Sequence, residues 1–190
     1  MDPDELERRL AALPQAFKPT QATTRRAAVA LVLHGRRLDE VLLLRRPERE
    51  GDRWSGQIGL PGGHQDAADA DLVATARREA REEVGLELAR DARLLGALAP
   101  VQAKARGVLL SMWITPIVFA AARELAPRTG PEAVETFWLP LARVRAGELA
   151  WTHRYRRGEE ERVLPAWKYE ERVIWGLTYE ILAGFLRVAT

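Results

Sequence analysis

Two periods alternate along the chain. Ala27–Leu33 is an unbroken apolar run containing Val29 and Val32, the signature of a strand buried on both faces. His34-Gly35-Arg36-Arg37 reads as a turn, and Glu40–Arg45 as a second strand that closes a hairpin on the first. A charged loop, Pro47 to Gln57, leads to the short apolar run Ile58–Leu60 and then to Pro61-Gly62-Gly63. There the period changes. Leu72, Val73, Ala76, Ala80 and Val84 recur at three- and four-residue intervals, so one helix is predicted over 72–84. Asp69 or Asp71 can cap its start, and Gly85 suits the left-handed position after its end.

Downstream, strands are predicted at Arg93–Leu98, Val108–Ala120 and Val134–Leu139, the second bent or at a sheet edge because of Pro116. A short helix follows at Leu141–Ala146 and a hairpin around Gly158 within Trp151–Tyr169. A closing amphipathic helix over Val173–Val188 carries Trp175, Leu177, Ile181, Leu182 and Phe185. Upstream, Asp2 caps a helix that bears Leu6, Leu10 and Leu13 and ends near Pro14. A polar connection, Gln15–Arg25, joins it to the rest. The organisation expected is a helix and connection over 1–25, then one domain over 26–190. Strands interspersed with helices place it in the α/β (α+β) class, a mixed sheet between helices, without fixing a topology.

Composition narrows the chemistry. The 190 residues are 47% hydrophobic and 29% charged, ordinary for a globular chain. There is no cysteine, which excludes disulfides, thiolate metal sites and a cysteine nucleophile. A net charge of +2 gives no basic field, so no nucleic-acid partner is expected. Met1-Asp2-Pro3-Asp4-Glu5 is acidic and leads into no apolar segment, which argues against a secretory signal. The apolar runs are far shorter than a membrane span, so no membrane partner and a cytoplasmic location are expected.

Glu79, Glu82 and Glu83 stand at i, i+3 and i+4 on the predicted helix and share one side within a turn. Hard divalent cations such as Mg2+ take carboxylate oxygens together with substrate phosphates. The pattern alone is weak, because like-charged neighbours on a helix cost only about 0.2–0.5 kcal/mol each and Arg78 offsets some of that. Position strengthens it. A Gly62-Gly63 turn, able to offer a carbonyl to a metal, precedes the acidic face, and Gly85-Leu86 follows it.

In that order these residues resemble the Nudix box: Gly, five residues, Glu, seven residues, then Arg-Glu-U-x-Glu-Glu-x-Gly-U, with U aliphatic. Arg78 to Leu86 matches the second half with Ala80 as U, and Gly63 is similar to the opening glycine. Asp69 stands where the box has its first Glu, and eight residues rather than seven separate it from Arg78, a one-residue insertion. Pro131–Leu141 looks like the Nudix segment with a late Glu, an aromatic strand and Pro-Leu. Trp54–Gly63 and Ile174–Thr178 resemble the coenzyme A pyrophosphatase branch. The upstream signature of that branch is eroded: Leu60 replaces its Phe, and its arginines align with Arg46 and Arg53 only when single residues are inserted.

The resemblance implies an α/β/α sandwich that hydrolyses a diphosphate linkage in a nucleoside diphosphate derivative. It implies Mg2+ or Mn2+ held by Glu79, Glu82, Glu83 and the Gly63 carbonyl, with Glu82 taking the proton of water and Arg78 orienting the carboxylates. Glu132 becomes the late acid near the metals. Arg45, Arg46 and Arg53 become candidates for substrate phosphate, for which a guanidinium fork is suited. Coenzyme A or a similar small-molecule diphosphate is the substrate expected first. ADP-ribose, a nucleotide sugar or a nucleoside triphosphate is the alternative, and a non-catalytic binding module a third reading. Trp54, Trp151 and Trp167 suit base stacking, core packing or a dimer seam, so a homodimer stays open.

Overall fold

The structure, a computed structural model, describes residues 1–13, 25–52, 54–105, 108–121, 123–157 and 160–190. Arg53, the tip of the hairpin at Gly158 and all but Arg25 of the expected Gln15–Arg25 connection lie outside the described residues.

The apolar run at 27–33 becomes the central strand β1 (Arg25–His34), and its lack of alternation has a direct cause. Ala27, Leu31 and Leu33 face one core cluster, while Ala28, Ala30 and Val32 face another. β2 (Glu40–Arg45) folds back antiparallel on β1, pairing Leu33 with Val41. β3 (Ile58–Gly59) borders β2, and β4 (Gly62–His64) pairs with the opening half of β1. β5 (Ala92–Ala97) and β6 (Val101–Ala105) both pair with β7 (Val108–Ala121), which runs parallel to β1. β8 (Glu135–Pro140) closes against β2.

Helices cover both faces. α2 (Leu72–Val84) and the single turn α3 (Leu88–Asp91) pack on the Ala28 side. α1 (Pro3–Ala11), α4 (Leu141–Arg145) and α5 (Gly176–Ala189) pack on the Leu31 side, where Leu6, Leu10, Leu141 and Phe185 are fully buried. The mixed sheet between helices is therefore the architecture expected. Beside it β9 (Ala150–Arg157), β10 (Glu160–Tyr169) and β11 (Arg172–Trp175) form a separate antiparallel sheet. Among the described residues, no helix is long and apolar enough to cross a membrane.

Four local expectations change. Gly62-Gly63 is strand rather than turn, and neither residue has a positive φ. β6 is an added strand; with only Val101 and Ala103 beside the polar Gln102 and Lys104, its apolar pattern is too slight to register as a strand. Pro116 sits inside the sheet, opposite Val29 of β1. Its carbonyl accepts from Leu98 on the other side, at the point where β7 exchanges β6 for β5. A residue's N–H and C=O point the same way in a strand, so the missing N–H falls in the gap between two partners and costs no ladder bond. Finally, 172–175 pair with β10, and the helix starts at Gly176, where φ of 61° turns the chain out of the sheet. Trp167 is buried, Trp151 is half exposed, and Trp54 lines a cavity described below.

Candidate active site

α2 is delimited by its own sequence. Asp71, the nearer of the two candidate caps, accepts from the Ala74 N–H at 2.7 Å. Gly85 takes the left-handed conformation, and the Gly85 and Leu86 N–H groups close on Arg81 and Ala80. This fixes the rotation of the helix, and with it three acids in graded environments. The side chain of Glu83 is 2% exposed, that of Glu79 12% and that of Glu82 49%. They fan across the helix from core to solvent rather than sharing one exposed face.

Close backbone approach, not turn geometry, requires the two glycines. A Cβ on Gly62 would stand 2.3 Å from the Ala28 carbonyl oxygen, so β4 can lie this close to β1 only without one. A Cβ on Gly63 would stand 2.4 Å from Glu79 Oε1. The Gly62 N–H donates to Glu83 Oε2 at 2.8 Å. β4 is thus pressed between β1 and the acids of α2.

Arg78 organises the polar side. Its Nη1 donates to Glu79 at 2.9 Å and to Glu82 at 3.1 Å, and its Nη2 to the His64 carbonyl at 2.9 Å. Nε and Nη2 together grip both oxygens of Asp69. Asp69, displaced from the box position by one residue, is therefore the principal anchor of the box arginine. The Arg78 guanidinium holds the Asp69 carboxyl down at about 2. A bend that returns Asp69 N–H to the Asp66 carbonyl, with Asp66 N–H on the Asp69 side chain, accommodates the extra residue.

A further loop docks on the end of α2. The Arg128 N–H donates to the Val84 carbonyl and the Gly130 N–H to the Glu83 carbonyl, satisfying acceptors that the helix leaves open. Gly130 approaches so closely that a Cβ would lie 2.1 Å from the Glu82 carbonyl oxygen. Nothing in the box spacing signals this glycine. It brings Glu132 to the cavity, where Arg49 reaches both Glu132 and the Pro131 carbonyl.

The arginines separate. Arg46 points toward the acids: Nη2 is bonded to Asp52 at 3.0 Å, Nη1 lies 3.9 Å from Glu83, and the buried Nε has no hydrogen-bond partner among the described residues. Arg45 corrects the expectation made for it. It is not among the cavity-lining residues, and it is taken up by Glu135, which Arg172 also grips. Neighbouring residues of a strand face opposite sides, which is why adjacent arginines part. Asp52, a further residue the sequence left unmarked, is the counter-ion that aims Arg46.

These groups border a cavity of about 430 Å3, lined by Arg46, Arg78, Glu79, Glu132, Gly62, Gly63 and His64 at its charged end. Neither Glu82 nor Glu83 is among the lining residues. Among the described residues, no three carboxylate or imidazole groups already gather as a metal cage. Glu79 and Glu82 are turned to Arg78, and Glu83 to Gly62. The donor set nonetheless suits a hard divalent cation: oxygen ligands only, two of the carboxylates nearly buried, and a backbone against Glu79 that leaves no room for a side chain. Burial pushes Glu79 up from its ordinary value and Glu83 up to about 7, with the neighbouring carboxylates adding to both shifts.

This displacement gives a pH dependence. The folded state of Glu83 holds its proton more tightly than the unfolded one, whose value is 4.5. Its contribution to stability is therefore complete below about pH 4.5 and lost as pH rises to about 7. The span corresponds to about 3 kcal/mol. In EDTA, Glu83→Gln keeps an acceptor for Gly62 and removes the buried charge. Its melting temperature should match that of the wild type near pH 4.5 and exceed it above pH 7. A variant less stable than the wild type at the higher pH contradicts this account.

A two-faced sheet whose glycine strand is pressed onto an Arg-Glu-x-x-Glu-Glu helix defines a Nudix hydrolase. The NUDIX domain model matches residues 23–159, and the chain belongs to that family, whose enzymes act on nucleoside diphosphate derivatives. The chain is similar to the uncharacterized Nudix hydrolase NudL of Citrobacter koseri, 32% identical over 169 residues that cover 88% of this chain and 82% of that protein. Its likeness to NudL of Salmonella paratyphi B is 33% over 164 residues, 85% and 82% of the two chains. A Caenorhabditis elegans Ap4A hydrolase in a binary complex shares the fold with a TM-score of 0.52 and 17% identity, covering 64% of this chain and 84% of that one. A MutT/nudix family protein from Enterococcus faecalis does so with 0.52 and 19%, covering 92% and 66%.

Proposed function

We propose that this enzyme cleaves the diphosphate linkage of coenzyme A or a close analogue with Mg2+ or Mn2+, and that Glu79, Glu82, Glu83 and the Gly63 carbonyl hold the metal. The observation that carries the chemistry is the gathering of Glu79, Glu132, the Gly62-Gly63 strand and Arg46 around one cavity, with Glu83 buried behind Gly62. Coenzyme A is supported by the Trp54–Gly63 and Ile174–Thr178 segments. The second of these places Thr178, whose hydroxyl donates to the Ile58 carbonyl at 2.8 Å and ties α5 to the cavity wall.

When bound, the metal neutralises the diphosphate and lowers the pKa of a coordinated water. The chain's own groups do the rest. Arg46, aimed by Asp52, lines the cavity and offers its guanidinium group to a phosphate oxygen. Arg78, locked by Asp69, keeps Glu79 and Glu82 in place. A general base must reach the attacking water within the cavity. Glu132 lines it and is held by Arg49 at 3.5 Å, whereas Glu82 stands outside the lining. Glu132 is therefore a candidate base beside the Glu82 that the box pattern suggests.

Incubation with Mg2+ or Mn2+ and a panel of diphosphates, with products identified by mass, tests the reading. Coenzyme A should yield 4′-phosphopantetheine and 3′,5′-ADP. Glu132→Gln should lower kcat by about a hundredfold or more with little change in metal affinity. Preference for ADP-ribose, a nucleotide sugar or a nucleoside triphosphate would replace coenzyme A as substrate. Unchanged turnover in Glu132→Gln would return the base to α2.

A further inference from the structure

The cavity has a second end that the acid chemistry leaves unused. Its lining draws on both faces of the sheet, with Arg78 and Glu79 from α2 and Leu177, Thr178 and Ile181 from α5, whose start is tied to β3. Opposite the charged groups stand Ile58, Leu60, Met112, Ile114, Leu177 and Ile181, all members of the core on the α5 side or packed against it. They come from β3 and the link after it, from β7, and from the first turns of α5. The wall is held as a unit by the Thr178–Ile58 hydrogen bond, which also occupies the donor of the hydroxyl there. Trp54 and Gln57, on the loop before β3, are the other neutral residues of the lining with a polar side-chain atom, His64 aside.

Such a wall discriminates by chemistry. A pantetheine-like arm gains by leaving water there with its gem-dimethyl and methylene carbons, while its two amides and hydroxyl have Trp54, Gln57 and solvent as partners. A ribose or hexose brings several hydroxyls that must each find a partner, and unpaired ones oppose binding. We propose that this apolar end is a specificity subsite that packs the gem-dimethyl and methylene carbons of a pantetheine-like arm of the substrate diphosphate and disfavours a polyol arm, with Leu177 and Met112 setting the preference. The proposal rests on the coenzyme A-like reading above and supplies the part of the molecule that enforces it.

Dephospho-coenzyme A and ADP-ribose form a matched pair, since they share the ADP portion and differ in the arm. The wild type should favour the former in kcat/KM by about tenfold or more. Leu177→Trp, which fills the chamber from its partly exposed side, should lower kcat/KM for dephospho-coenzyme A by about tenfold and leave ADP-ribose within about threefold. Leu177→Asn, a smaller change whose folding is followed by its melting curve, should narrow the ratio between the two substrates by about threefold or more. Equal losses on both substrates would overturn the proposal by placing the shared adenosine in the chamber, and no change on either would show the chamber unused. A wild type that prefers ADP-ribose would overturn it too, with diphosphate hydrolysis intact. Hydrolysis of neither compound, nor of coenzyme A itself, with Mg2+ or Mn2+ present, would instead overturn the function proposed above.

Discussion

Glu83→Gln should abolish most turnover while leaving the metal-free protein as stable or more so. The side chain is almost fully buried, and its carboxylate is held by the Gly62 N–H at the junction of β4 and α2. A glutamine preserves that hydrogen bond and the volume, and removes the negative charge that a divalent cation requires. Loss of a metal ligand forfeits several kcal/mol of transition-state stabilisation. A fall in kcat/KM of at least about a hundredfold at saturating Mg2+ follows. Activity and stability then move in opposite directions, the mark of a group retained for chemistry at the expense of folding. A variant that keeps near-wild-type kcat/KM would remove Glu83 from the metal site. One that loses activity together with its fold would make the residue structural.

Gly62→Ala should be strongly destabilising for so small a substitution. Its Cβ would meet the Ala28 carbonyl oxygen at 2.3 Å and Val29 Cα at 2.7 Å, both rigid parts of the central strand. β4 would have to lift away from β1, breaking the Ala28–Gly63 and Val29–Gly62 pairing and withdrawing the donor from Glu83. Overpacking against backbone costs about 3 kcal/mol. For a chain of this length that is a drop in melting temperature of about 10 °C. Gly59→Ala, where a Cβ meets nothing within 4 Å, is the control and should stay within about 0.5 kcal/mol of wild type. If the two variants melt together, close approach of β4 is not what Gly62 is for.

Local signals carried further than their length suggests. The bounds of α2 were legible residue by residue, because its apolar spacing, the capping Asp71 and the left-handed Gly85 all act within one turn of the chain. β2 was legible for a similar reason: a run of Val and Leu between turn residues. The helix at the C-terminal end was misplaced by three residues. The pairing of 172–175 with β10 outweighs their place in an amphipathic pattern that would extend the helix, and no local periodicity records a cross-strand partner.

The site divides along the same line. By itself the sequence determined the acids of α2, the glycines before them, the arginine among them and the layered class of the fold, since each follows from periodicity or short-range spacing. Tertiary structure decided what those residues do for one another. It buried Glu83 and exposed Glu82, turned Gly62 and Gly63 from a turn into a pressed strand, and gave the displaced Asp69 to Arg78. It parted Arg46 from Arg45, docked Gly130 on the helix end, and joined Ile58, Met112 and Leu177 into one wall. The physical reason is range. Helix caps and periods are settled by interactions over a few residues, whereas desolvation, close backbone approach and the lining of a cavity depend on which distant segments the sheet brings into contact.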